Sequence, residues 1–173
     1  HGEVMPDPVE RLAAHEAVDL LLLPHGPDAC EVRSSARGRA MVRRTRDGGL
    51  RYEPIGGDPL ELARALDASG TLGGARGLDA ESAYDATIDT TYPDSLTQVL
   101  ALAGAERSGE IIISAAPGWD LRARWEPIPH ISTHGSLRRE HLLVPLLTSF
   151  VPAATPRRTA DVFSLARSAC WAD

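Results

Sequence analysis

Residues 110–115 read EIIISA, and this run of three isoleucines is the clearest strand signal in the chain. Pro117-Gly118 ends the run, because proline cannot donate to a sheet and glycine favours turns. Val18 to Leu23, with the apolar run Leu20 to Leu23, predicts a second buried strand, and Leu142 to Leu147 predicts another. Strands that are apolar throughout are typical of parallel sheets covered on both faces.

Helical patterns alternate with these strands. Asp7-Pro8-Val9-Glu10 predicts a helix start, with an aspartate cap and a proline at the first helical position. Asp58-Pro59-Leu60-Glu61 repeats the pattern, and Tyr92-Pro93-Asp94 precedes a third apolar helical stripe that Gly104 can close. A last helix is predicted from Thr159 through Ala169. This alternation predicts an α/β fold with a mostly parallel sheet between helices.

Residues 31–53 break the alternation. Glu31 to Arg33, Arg39 to Arg44 and Leu50 to Glu53 have strand character, and Asp47-Gly48-Gly49 is a strong turn signal between the last two. We therefore expect a small antiparallel hairpin region inserted into the larger fold.

Composition limits the classes of partner. The chain has 173 residues, enough for one domain with a core, and a formal net charge of −6. An acidic chain gives no reason to expect nucleic-acid binding, and the basic run Arg37 to Arg46 predicts the solvent face of a hairpin. No apolar run approaches the roughly 18 residues of a membrane span. Cys30 and Cys170 allow one disulfide or two free thiols. The cysteines therefore do not decide between an oxidising and a reducing cellular compartment.

Histidines concentrate in one polar stretch. His130, His134 and His141 lie between two predicted strands, and Gly135 follows the middle histidine. Neutral imidazole is the commonest protein ligand of divalent metals, and a neighbouring glycine permits close approach. The spacing does not match HExxH, however, and by itself it favours a structural role.

A family resemblance changes that interpretation. The stretch from Thr133 to Leu137, THGSL, followed by His141 and Val144-Pro145-Leu146, resembles the last metal-ligand motif of the alkaline phosphatase superfamily. The type I phosphodiesterase/nucleotide pyrophosphatase branch is the most similar. The resemblance extends over most of the chain and is most specific from Tyr92 to Phe163. Its other segments are residues 56–60, 89–102, 108–120 and 156–163.

The resemblance implies a fold and a metal site. The fold would be an incomplete alkaline phosphatase-like three-layer sandwich, with residues 1–173 as the C-terminal part of one hydrolase domain. His134 would bind one of two divalent metal ions, with zinc expected, and Thr133 and Ser136 would hydrogen-bond near it and orient it. His1-Gly2 resembles the family's Asp-His-Gly motif without its aspartate, which would make His1 a second ligand. A remnant of an expression tag, or a chance terminus, is the alternative for His1.

The resemblance also implies what this chain does not carry. The family's nucleophile and first metal-binding aspartates precede the Asp-His-Gly motif, so we expect them in a missing N-terminal part of the same domain. The expected substrate is a small phosphate ester, and the 173 residues alone should be inactive. The alternative is a non-catalytic binding or scaffold domain that retains the family fold. An unrelated α/β hydrolase is disfavoured because the sequence has no G-x-S-x-G motif.

Overall fold

A computed structural model of the chain describes residues 7–70, 72, 77–121, 134–152 and 155–170. The chain divides into two compact units, His1–Leu143 and Val144–Asp173. The first unit holds every described strand, and the second holds one described helix, at Thr159–Cys170. The prediction that residues 1–173 belong to a single hydrolase domain stays a prediction.

The sheet of the first unit is antiparallel throughout. Its five strands lie in the spatial order β4-β3-β2-β1-β5, and each neighbouring pair is antiparallel. The strands are β1 (Val18–Pro24), β2 (Ala29–Ser34), β3 (Gly38–Arg44), β4 (Leu50–Ile55) and β5 (Ile112–Ala115). The predicted mostly parallel, alkaline phosphatase-like three-layer sandwich is therefore wrong. Residues 31–53 belong to β2, β3 and β4, which are two inner strands and one edge strand of this sheet. They are not an insertion.

Loop length explains the strand directions. Only residues 25–28, 35–37 and 45–49 separate the first four strands, and connections this short join antiparallel neighbours. The apolar run in β1 has another cause than a parallel sheet. Leu20 and Leu22 belong to the main core, whereas Leu21 is fully buried on the opposite face, where helix α1 (Pro8–Ala13) contacts β1. Burial on both faces, not parallel pairing, explains the apolar run from Leu20 to Leu22.

The main core lies between the sheet and three helices. These are α2 (Ala63–Ala68), α3 (Ala80–Thr87) and α4 (Ser95–Ala103). Helix α4 contacts β1 to β4 and buries Leu96, Val99 and Leu100. A fully buried leucine or valine side chain contributes about 1.5–3 kcal/mol, so this helix face is a principal source of stability.

Helix boundaries follow the predicted signals in part. Asp7 accepts a hydrogen bond from the Val9 amide at 3.0 Å, which confirms the start of α1, and α4 ends at Gly104 as predicted. The predicted start at Asp58 is wrong, because Glu61 has a left-handed φ of 55° and α2 begins only at Ala63. Helix α3 was not predicted, although Asp79 accepts from the amides of two following residues.

The predicted strand at Leu142 to Leu147 is also wrong. The short helix α5 (Arg139–Leu142) occupies its start, and residues 143–148 have no regular structure. Val144 is 64% exposed and Leu147 is 93% exposed. Pro145 lacks the N–H that a central strand needs, so this apolar run cannot continue a sheet. The helix predicted from Thr159 is confirmed as α6 (Thr159–Cys170), and its Phe163 is exposed.

The two edges of the sheet differ. On β4, Pro54 removes one backbone donor, and Leu50 forms an isolated bridge with Leu78. Among the described residues, no strand pairs with the outer edge of β5, where Ile113 is 36% exposed. No helix in the described part of the chain is long and apolar enough to cross a membrane.

Candidate functional site

The predicted ligand His134 lies at the start of a described segment in the first unit. Its side chain is exposed, and Gly135 follows with a left-handed φ of 101°, at a position where an added Cβ would meet no other atom. A side chain at residue 135 would therefore meet open space, and it is the left-handed φ that favours glycine there. His1, His130 and Thr133 lie outside the described residues, so their predicted roles are not tested.

Residues 136–142, the anchor segment, fix this region onto the first unit. Leu137 is 6% exposed and belongs to the main core. The Arg139 amide donates to the Thr91 carbonyl oxygen at 2.9 Å, and the Arg139 guanidinium donates to the carbonyl oxygen of Ile88. One apolar contact and two backbone carbonyls thus hold the segment that follows His134.

Ser136 makes its hydrogen bonds within the anchor segment. Its hydroxyl lies 2.8 Å from Nδ1 of His141 and accepts from the Arg138 amide at 3.3 Å. Because the hydroxyl oxygen accepts from that amide, its proton is free to be donated to the imidazole. The predicted contact of Ser136 with His134 stays a prediction, and the observed contacts order the turn that begins α5.

A buried polar cluster lies beneath the anchor segment. Its members are Asp19, Arg37 and Tyr92, and we name it the Asp19 cluster. Arg37 Nη2 donates to the Asp19 carboxylate at 2.7 Å and to the Tyr92 hydroxyl at 2.8 Å. The Tyr92 hydroxyl in turn donates to the other carboxylate oxygen of Asp19 at 2.7 Å. Each buried polar group therefore has a partner, as burial requires.

Burial and hydrogen bonding shift the pKa values of Tyr92 and Arg37 in the Asp19 cluster. Burial first, and then the hydrogen bond to Asp19, raise the pKa of Tyr92 well above its usual range, so its hydroxyl stays a donor. For Arg37, burial lowers the pKa, but the hydrogen bond to Asp19 and the neighbouring charges outweigh it, and the net direction is upward. The cluster thus contains a phenol that stays protonated and a guanidinium that stays charged, both bonded to Asp19.

The anchor segment and the Asp19 cluster meet at Tyr92. Arg138 Cζ lies 5.8 Å from the centroid of the Tyr92 ring, and Arg37 Cζ lies 5.5 Å from it. Glu61 joins the same group, since it accepts from the Thr91 hydroxyl at 2.7 Å and lies 3.6 Å from Arg37 Nε. Cation–π contacts of this kind contribute about 0.5–1 kcal/mol at exposed sites.

The described residues do not form a complete metal site. No group of three or more His, Cys, Asp or Glu in the described ranges is placed to hold a metal ion. Structural zinc takes four ligands and catalytic zinc three protein ligands. A metal site that included His134 would need further donors, which the described residues do not supply.

Sequence reasoning missed the Asp19 cluster. Asp19 lies within the apolar run VDLLLL, and a charged residue inside a buried strand is a signal that it needs a buried partner. Arg37 belongs to the basic run that was predicted to face solvent. Arg39, Arg43 and Arg44 fit that prediction, with carboxylates at 3.8, 3.1 and 3.3 Å, but Arg37 turns inward.

Both cysteines are free thiols. Cys30 is buried in the main core, and Cys170 is exposed on α6. Burial raises the pKa of the Cys30 thiol to about 12. A thiol with that pKa is inert near neutral pH, so Cys30 acts as a small apolar core residue.

Comparisons with known proteins give no relative. No family model, no curated protein and no solved structure matches the chain. Any functional assignment therefore rests on the sequence motifs and on the geometry around His134.

Proposed function

We propose that this chain contributes metal ligands to a metal-dependent phosphoric ester hydrolase of the phosphodiesterase or phosphatase type. His134 is the principal ligand, and His1 is the second. The observation that carries the proposal is an exposed imidazole, next to a left-handed glycine, two residues before the anchor segment. Leu137 in the core and the Arg139 hydrogen bond to the Thr91 carbonyl oxygen hold that segment on the first unit.

The resemblance of residues 92–163 to the alkaline phosphatase superfamily supports the hydrolase class and zinc as the cation. In such an enzyme, bound divalent ions polarise a phosphate ester and clamp its oxygens. This chain's own part is to hold an imidazole at a fixed place. The parallel-sheet fold that the same resemblance implies is wrong for this chain, so the proposal rests on the motif at His134 and not on the fold.

Cobalt titration followed by NMR of the six histidine rings tests the ligand role. We expect the His134 ring to respond at a cobalt concentration several-fold lower than His15 and His25 do, since the proposal gives His134 a second ligand, His1, at the same cation. His134→Ala should remove the cobalt binding seen at low concentration. His25→Ala, the matched control, should leave that binding unchanged. An equal response of all exposed rings would refute the ligand assignment.

A second measurement tests the incompleteness of the site. The 173-residue chain with zinc should hydrolyse bis(4-nitrophenyl) phosphate no faster than zinc alone does, because no nucleophile is assigned to it. Turnover that His134→Ala abolishes would show that the chain is complete as a catalyst, contrary to the proposal.

One observation favours the alternative of a non-catalytic binding or scaffold domain. The outer edge of β5 pairs with no described strand, and Ile111 and Ile113 are 37% and 36% exposed beside it. Open edges of this kind accept an added strand from a partner. The two candidates differ in the cobalt titration, because a pure binding domain predicts no preference for His134.

A further inference from the structure

Strands β2, β3 and β4 present an arginine-rich face on the side of the sheet away from the main core. Successive side chains of a strand point to opposite faces, and Val32, Val42 and Tyr52 belong to the core. The residues between them therefore lie on the other face. They include Arg33, Arg39, Arg43 and Arg51, with Met41 among them, and we name this surface the arginine face.

The strand register places like charges next to each other on the arginine face. Arg33 lies directly opposite Arg39 across β2 and β3, and Arg43 lies directly opposite Arg51 across β3 and β4. Like charges in directly opposite positions destabilise a sheet. The face therefore carries a charge arrangement that the stability of the sheet alone does not favour.

The arginine face is basic in an otherwise acidic chain. Residues 32–46 contain six arginines and no acidic residue, whereas the net charge of the chain is −6. Of these arginines, Arg37 turns inward to the Asp19 cluster. Charge complementarity therefore favours an acidic partner on this face.

The two outward arginines of β3 keep donors for such a partner. Arg39 Nη1 lies 3.8 Å from Glu31, and Arg43 Nε lies 3.1 Å from Glu53, yet the two arginine side chains are 54% and 50% exposed. A guanidinium has five N–H donors and often binds a carboxylate through two of them. One carboxylate contact at each arginine thus leaves donors for a second acceptor.

We propose that the arginine face binds an extended acidic peptide segment of a partner protein. Arg39 and Arg43 lie four residues apart on β3, a separation of about 13 Å. An extended peptide has a similar rise per residue, so acidic side chains at its positions i and i+4 match the two guanidinium groups. An apolar residue at i+2 then covers Met41, whose neighbours on both adjacent strands are glutamates that disfavour a third acid there. The proposal does not depend on the ligand role of His134.

The side chains of the arginine face fit a peptide better than a nucleic acid. Sheet surfaces that bind single-stranded nucleic acid stack its bases on aromatic side chains. Strands β2, β3 and β4 are described throughout, and their outward positions carry no aromatic residue. A nucleic acid would therefore bind here through its phosphates alone, whereas a peptide can use both its carboxylates and an apolar side chain.

NMR titration of the chain, labelled at its methionine methyl groups, tests the proposal with a short peptide that contains Glu-Ser-Leu-Ser-Glu. The chain has two methionines, so Met41→Leu assigns the Met41 signal. We expect that signal to shift and to saturate. An isomeric peptide with Glu-Glu-Leu-Ser-Ser should need a several-fold higher concentration, because its adjacent acids cannot reach both arginines. High salt should weaken the binding of both peptides, since exposed ion pairs are screened.

Arg43→Gln should raise the half-saturating peptide concentration about two- to fivefold, the range for loss of one exposed ion pair. Arg39→Gln should act in the same direction, and Arg107→Gln, at an exposed arginine outside this face, should change nothing. Circular dichroism verifies that each variant is folded. Two results would overturn the proposal: no shift of the Met41 signal, or an unchanged peptide affinity in a folded chain that carries both Arg39→Gln and Arg43→Gln.

Two further measurements test other occupants of the arginine face. If oligothymidylate moves the Met41 signal at a lower concentration than the peptide does, the face binds nucleic acid and the proposal is overturned. If sedimentation shows that the chain alone forms dimers that Arg43→Gln separates, the face binds a second copy of the chain, which also overturns the proposal. We expect a weaker response to the oligonucleotide and no dimer that depends on Arg43.

Discussion

The guanidinium of Arg37 donates a 2.8 Å hydrogen bond to the hydroxyl oxygen of Tyr92, across 55 positions of the sequence. Arg37 lies in the turn between β2 and β3, and Tyr92 lies just before α4. Both also bond the carboxylate of Asp19 on β1. This contact joins the sheet to its covering helix layer through buried polar groups.

Tyr92→Phe should destabilise the chain by about 1–3 kcal/mol, because Asp19 loses a buried donor while the ring is retained. Urea unfolding followed by circular dichroism measures the change. In a double-mutant cycle with Asp19→Asn, the two effects should be non-additive, since the residues share one hydrogen bond. Additive effects would show that the hydroxyl does not bond Asp19 in solution.

Gly57→Ala should destabilise the fold by about 1–3 kcal/mol through overpacking. A Cβ at this position would overlap the carbonyl oxygen of Arg37 and lie 2.8 Å from Cα of Gly38, and both are backbone atoms that cannot rotate away. Gly104→Ala is the control, because its nearest neighbour would lie at 3.3 Å. Equal unfolding midpoints for the two variants would contradict the close approach of these turns.

The two thiols should react very differently with Ellman's reagent. Cys170 is exposed and should react within minutes at pH 8, whereas Cys30 is buried with a pKa raised to about 12. Cys170→Ser should remove the fast phase, and the remaining thiol should react only in denaturant. If both thiols of the native chain react within minutes, Cys30 does not lie in the core.

The stability of α3 should depend on pH through Asp79. Its carboxylate accepts from the Ser82 hydroxyl and amide and from the Glu81 amide, and these bonds lower its pKa below the ordinary value of 3.8. The stabilisation is therefore fully present above pH 3.8 and is lost as pH falls through the lowered pKa.

The Asp79→Ala chain should accordingly unfold at a lower urea concentration than the unmodified chain at pH 7. This gap between the two urea midpoints should narrow below pH 3.8. Asp67→Ala, an exposed position late in α2, serves as the control and should show a smaller gap at pH 7. Urea midpoints at pH 7, 5 and 3 measure both. A gap that stays constant over this range would exclude the carboxylate as the cap.

Local features of the fold, including the antiparallel pairing within residues 31–53, were predictable, and the directions of β1 and β5 in the sheet were not. The cap at Asp7, the strand at Val18 and the helix that Gly104 closes depend on nearby residues, which a sequence shows directly. The direction of β5 depends on where a chain returns after the long connection from Ile55 to Ile112, and the sequence contains no local record of that. An apolar run such as β1 was interpreted as parallel although α1 covers its second face.

The candidate site was predictable to the same limited extent. The motif at His134 was visible because a histidine, a glycine and a following apolar residue lie together in sequence. The Asp19 cluster was not predictable, because Asp19, Arg37 and Tyr92 come from separate elements and meet only in the folded chain. A lone aspartate inside an apolar strand was the single local signal for that cluster.

Anomalous diffraction at the zinc edge, from crystals of the 173-residue chain soaked in a zinc salt, tests the ligand role of His134 most directly. We predict a peak within about 2.0–2.1 Å of a His134 ring nitrogen, the usual zinc–imidazole distance, with a second protein donor in contact. Peaks at other histidines with none at His134 would contradict the proposed function.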